Sequence, residues 1–88
     1  MDNIKLHIKD ETILTEIDGE AVLLNIDKNA YYGLDEIGLL IWKLLEEGKS
    51  YHEVKGEILS RYDVEEQVVT EDLNRFLSDL KEKGLVTW

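Results

Sequence analysis

The side chains in this sequence that could do chemistry are few, and their spacing works against catalysis and metal binding alike. His7 and His52 are its two imidazoles. Neither belongs to a His-x-x-x-His pair or stands beside a cysteine pair, the spacings that bring two metal ligands to one helix face or one turn. Both read as surface histidines. The chain has no cysteine, which removes thiolate zinc ligands, a thiol nucleophile and thiol redox chemistry together. The Ser and Thr residues outside the expected strands form no nucleophile elbow and no glycine-rich phosphate loop. Carboxylates are abundant, yet pairs such as Glu46-Glu47 and Glu65-Glu66 fall at helix ends or connectors, where they are solvated charge. The expectation is a protein with no metal, no cofactor and no catalytic group.

Composition narrows the remaining classes. The chain has 88 residues, 43% of them hydrophobic, with 20 acidic and 10 basic side chains for a net charge of −10. That is enough apolar content to fold and enough length for a single domain, residues 1–88, whose core must hold without disulfides. A core this small leaves little room for a water-excluding pocket. The acidic surplus repels a phosphate backbone at long range, and the basic residues are scattered, so nucleic acid is disfavoured as a partner. The longest uninterrupted apolar stretch, residues 39–42, is too short to cross a bilayer, and the chain reads as soluble and cytoplasmic with no membrane partner.

The first third reads as strands. Residues 3–8 alternate, and Thr12–Ile17 alternates again with Ile13, Thr15 and Ile17 on one face. Asp18-Gly19 supplies the positive φ angles of a type I′ turn and predicts a hairpin into residues 20–26. There Val22, Leu24 and Ile26 share a face and Leu23 lies opposite. A polar turn at Asp27-Lys28-Asn29 leads to Ala30-Tyr31-Tyr32-Gly33-Leu34, a third strand placed at the edge.

From Asp35 the apolar period changes from 2 to 3.6. Asp35 caps a helix with Ile37, Leu40, Ile41, Leu44 and Leu45 on one face, widened by Leu39 and Trp42 and stopped by Gly48. Ser50-Tyr51-His52-Glu53 is a capping box that opens a second helix, to about Tyr62, with Val54, Ile58 and Leu59 inward. After a polar connector, Val69, Leu73, Phe76, Leu77 and Leu80 define a third helix ending near Lys83, with Gly84 as its stop. Residues 85–88 are apolar enough to pack back on the core as a short strand. The fold class is α+β: a small N-terminal antiparallel sheet of about three strands, then three helices, the last two a helix-turn-helix pair.

With no chemistry to position, what remains is a surface. Tyr31 and Tyr32 are adjacent on a strand and must point to opposite faces. Strand parity puts Ala30, Tyr32 and Leu34 inward and Asn29, Tyr31 and Gly33 outward. No proline and no charge stands between Ala30 and Leu34, so nothing blocks this edge from accepting a peptide as a further strand, main chain to main chain. The plainer reading is that Tyr31 only covers the sheet.

The run Lys28-Asn29-Ala30-Tyr31-Tyr32-Gly33-Leu34-Asp35-Glu36-Ile37-Gly38, followed by Ile41-Trp42-Lys43-Leu44-Leu45, resembles the hallmark segment of PqqD-like proteins. Tyr62-Asp63-Val64 and Phe76-Leu77-x-x-Leu80-x-x-x-Gly84-Leu85-Val86 match further on, so the resemblance spans residues 13–86. Asp35 stands where the family more often has Asn or Gly, a change that keeps the cap. The resemblance implies a winged helix-turn-helix fold and a peptide recognition element that binds the leader of a ribosomally made precursor peptide. The leader would lie as an added strand in the groove between the third strand and the third helix. A free-standing copy is most similar to the recognition proteins of lasso-peptide pathways, which work beside a leader-cleaving protease and a macrolactam cyclase. Relatives in radical-enzyme pathways share the fold.

Carried over by position, Asn29, Ala30, Tyr31, Tyr32, Gly33 and Leu34 would supply the main-chain ladder. Asp72, Arg75, Phe76 and Asp79 would line the groove, with Leu73 at its floor. On residue type alone, Leu73 and Phe76 also read as core, Trp42 as core, and Arg75 and Asp79 as an i,i+4 ion pair on a solvated face. The acidic surplus favours a lysine-rich leader or a basic enzyme surface. Two rival readings differ in class. A DNA-reading helix-turn-helix needs a basic recognition helix, whereas residues 71–83 hold four acids against three bases. A non-catalytic protein–protein assembly module would bind partners but no leader. The open edge also leaves a homodimer as a possible partner state.

Overall fold

Two tight turns organise the N-terminal half of the computed structural model, which describes residues 4–18 and 20–88. Ile17 pairs with Glu20 across a two-residue loop, and Asp18 takes φ 51° there, as a primed turn requires; Gly19 lies outside the described residues. The second turn closes between Asn25 and Ala30, with Asn29 also at φ 51°. Three antiparallel strands result, β2 (Thr12–Ile17), β3 (Glu20–Asn25) and β4 (Ala30–Leu34), ordered β2-β3-β4.

The core side of this sheet is carried by Ala21, Leu23 and Asn25 on β3, all buried. On the other face Ile13, Ile17 and Ile26 are exposed while Val22 and Leu24 are half-buried. Counting apolar residues therefore points to the wrong side, because a polar residue holds an inward position. Asn25 is only 3% exposed, and its amide is satisfied on both sides. It donates to the Gly84 carbonyl (2.6 Å) and accepts from the Lys28 N–H (3.1 Å), which ties the β3–β4 turn to the end of the last helix and offsets the cost of burying a polar group.

The strand expected over residues 3–8 forms only at β1 (His7–Ile8) and does not join the three-stranded sheet; Asn3 lies outside the described residues. β1 pairs with β5 (Val86–Thr87) in a separate two-stranded sheet. Ile4, Leu6 and Ile8 are half-buried while Lys5 and His7 are exposed, so the alternation reports burial, and the ladder is limited by the two residues its partner offers. His52 is exposed as well.

Three helices cover the inner face: α1 (Glu36–Glu46), α2 (Tyr51–Arg61) and α3 (Glu66–Glu82). Asp35 caps α1, its Oδ1 accepting from the Gly38 N–H at 2.7 Å. The Ser50 and Glu53 capping box opens α2 with both reciprocal bonds made. Gly48 and Gly84 follow α1 and α3 at φ 83° and 75°, the left-handed conformation that ends a helix at little cost for glycine. The buried stripe of α1 runs through Gly38, Ile41, Trp42, Leu44 and Leu45. Ile37, expected inside, is exposed, and Trp42 takes the central core position at 1% exposure. On α2, Tyr51 joins Val54 and Ile58 in the core; on α3, Val69, Leu73, Leu77 and Leu80 are buried. Helices α2 and α3 form the expected helix-turn-helix, and among the described residues no helix is long and apolar enough to cross a membrane.

Candidate peptide-binding site

The pairing of β3 decides which groups of β4 are free. Across the two-residue loop, Ile17 and Glu20 form the closing hydrogen-bonded pair, and six residues on the Ile26 N–H still points to β2, donating to the Glu11 carbonyl at 3.1 Å. Main-chain direction alternates along an antiparallel strand, so Ala21, Leu23 and Asn25 point to β4. Their partners are Leu34, Tyr32 and Ala30, whose main-chain groups are thus used. Tyr31 and Gly33 turn their N–H and C=O groups to the open edge. Among the described residues β4 has β3 as its one strand neighbour.

Beside this edge lies a groove of about 310 Å³. Tyr32 and α3 form its walls near β4, and α1 and the end of α2 close the far end. The two halves differ in character. Toward the C-terminal part of α3, beside Tyr32, stand Asp72, Arg75, Phe76 and Asp79, with Asp35 also in the lining; Val68 lies toward the N-terminal end of α3, and Ile37, Ile41, Ile58 and Val64 complete the apolar part of the lining. The Tyr32 and Phe76 rings meet edge to face at 5.9 Å. Gly38 lies at their base, where a Cβ would come within 3.3 Å of Leu34 Cδ2 and 3.4 Å of Phe76 Cε1, so glycine keeps the floor of the groove low.

Charge at the β4 end is mostly negative. The Tyr32 hydroxyl donates to Asp79 Oδ2 over 3.4 Å, a long and weak bond. Burial, then Asp79 and Asp35, hold its phenol above the ordinary tyrosine range. Arg75 pairs with Asp72 at 2.7 Å. The i,i+4 pairing of Arg75 with Asp79 does not form: Asp79 turns to Tyr32, and Asp72, one turn before Arg75, neutralises the guanidinium. Among the described residues no group of three or more His, Asp or Glu could hold a metal ion.

Of the residues singled out from sequence, Tyr32, Asp72, Leu73, Arg75, Phe76 and Asp79 all line this one groove. Leu73 is buried at 1% exposure, and Phe76 is half-buried. Tyr31 is 71% exposed on the outer face, and strand parity is as expected. Asn29 is not in the strand: it occupies the turn at positive φ, and β4 begins at Ala30. Sequence reasoning passed over the apolar end of the groove. The available signal was Val68, an apolar residue off the α3 stripe and 46% exposed; Ile37 counts on the apolar face of α1 by spacing, and its 40% exposure is visible only in the structure.

Residues 20–86 match the family model described as coenzyme PQQ synthesis protein D (PqqD). No curated protein sequence matches the chain significantly. Two solved structures are similar. TbiB1 in complex with the TbiA(beta) leader peptide is 42% identical, with a TM-score of 0.83 over 90% of this chain and 92% of that one. Lasso peptide synthetase B1 complexed with the leader peptide is 26% identical, with a TM-score of 0.85 over 97% of this chain and 100% of that one. The same order of strands and helices, the family match across most of its length and these two likenesses make this chain a member of the PqqD family.

Proposed function

We propose that this protein binds the leader segment of a ribosomally made precursor peptide as a strand added to β4, and presents the precursor to the leader-cleaving protease and macrolactam cyclase of a lasso-peptide pathway. It acts as one recognition domain without chemistry of its own. The observation that carries this reading is the open Tyr31 and Gly33 main chain alongside a groove that is half apolar and half acidic. The two similar structures were both solved with leader peptides.

Energetics require both features. Two edge residues offer four main-chain hydrogen bonds, together about 2–6 kcal/mol at roughly 0.5–1.5 each. Immobilising a flexible peptide costs several kcal/mol, so the ladder falls short of micromolar affinity, about −8 kcal/mol. Leader side chains must therefore enter the groove. The test is a fluorescence-anisotropy titration with the labelled leader of the precursor encoded beside this gene. Saturable binding at micromolar or lower protein is expected; no binding over that range overturns the proposal.

A further inference from the structure

We propose that the groove selects leaders carrying a lysine or arginine at the position that pairs opposite Tyr32, its charge received by Asp79 and Asp35. This rests on the leader-binding reading and adds to it a class of leader side chain. A strand added to the β4 edge continues the alternation of the sheet, so the residue opposite Tyr32 projects on the Tyr32 side, into the groove. There it meets the rings of Tyr32 and Phe76, 5.9 Å apart, surfaces that suit the aliphatic stem and charge of a basic side chain.

The carboxylates at this end are short of cations. Asp79 is half-buried and receives the 3.4 Å phenol bond. Asp35 commits Oδ1 to the Gly38 N–H. Arg75, the basic residue among the groove walls, is held by Asp72, and Lys83 Nζ lies 6.0 Å from the centre of the Tyr32 ring. Asp79 and Asp35 line the same groove as Tyr32, and both hold its phenol above the ordinary tyrosine range. The apolar part of the lining, Ile37, Ile41, Ile58, Val64 and Val68, would strip water from a charge without replacing it. Along α3 the step from Val68 to Asp79 rises about 16 Å at roughly 1.5 Å per residue, the reach of about five extended residues. The preferred leader thus has a basic residue about five positions from an apolar one.

The test is selection of randomised displayed peptides on the full chain, run in parallel on Asp35→Asn and Asp79→Asn, both checked for folding by circular dichroism. Asparagine retains the helix cap at position 35. The expected result is a wild-type consensus with Lys or Arg at fixed spacing from an apolar residue, lost or relaxed in the variants. Synthetic consensus peptides should bind each variant about two- to fivefold more weakly, as for exposed ion pairs, with the difference shrinking at high salt. Enriched peptides without a positioned basic residue, or with affinity indifferent to both substitutions, overturn the inference and leave leader binding standing. If no peptide is enriched, the leader-binding reading falls and the inference with it.

Discussion

The Tyr32 hydroxyl on β4 faces the Asp79 carboxylate on α3 across 3.4 Å, joining residues 47 positions apart at the mouth of the groove. It is the one hydrogen bond between side chains of β4 and α3 among the described residues, and the same ring packs on Phe76 one turn earlier on α3. Tyr32 thus connects the strand that offers its edge to the helix that forms the opposite wall. Tyr31, its neighbour, is 71% exposed and is not among the residues lining the groove.

Truncating the two tyrosines should have separable effects. Tyr32→Ala removes a half-buried ring from the junction with Phe76 and should destabilise the fold by about 2–4 kcal/mol, as other large-to-small changes do. Tyr31→Ala, at an exposed position, should leave the thermal midpoint nearly unchanged. Circular-dichroism melts giving the reverse order would show that the faces of β4 are inverted.

Alkaline stability should depend on Tyr32. Burial first, then the neighbouring carboxylates Asp79 and Asp35, hold its phenol above the ordinary tyrosine range in the fold, so the protonated form is favoured there. The stability linked to it is complete below the unfolded value and is lost as pH rises through the higher folded one. In urea melts at increasing pH above 10, the wild type should lose more stability than Tyr32→Phe, which has no phenol to ionise. Parallel curves would assign the alkaline loss to other groups.

Amide exchange reads the strand register directly. Because Ala30, Tyr32 and Leu34 already face β3, adding a leader should slow exchange at Tyr31 and Gly33 and change those three little. Protection confined to α2, with Tyr31 and Gly33 exchanging as before, would exclude strand addition.

Duplex DNA should not bind detectably at micromolar protein and physiological salt. The net charge is −10 and α3 carries Glu71, Asp72, Asp79 and Glu82, opposite to what a phosphate backbone attracts. An electrophoretic shift that weakens steeply with added salt would contradict this.

Local sequence determined the elements of this protein. Asp35, the Ser50–Glu53 box, Gly48 and Gly84 act within one helical turn, and the period of the apolar residues marks strand or helix over a few positions, so these features are legible without the rest of the chain. The parity of Tyr31 and Tyr32 follows from the pleat alone. Only tertiary packing decided that a polar residue holds an inward position on β3, because Asn25 is satisfied there by Gly84, fifty-nine residues away. It also decided that Arg75 pairs with Asp72 and frees Asp79 for Tyr32, a choice between an i−3 and an i+4 helical partner, both within reach on the helix surface, made by what stands across the groove. The apolar end of the groove was illegible for the same reason: Ile37, Val64 and Val68 come from three separate segments, and no pattern within any one of them records that they meet.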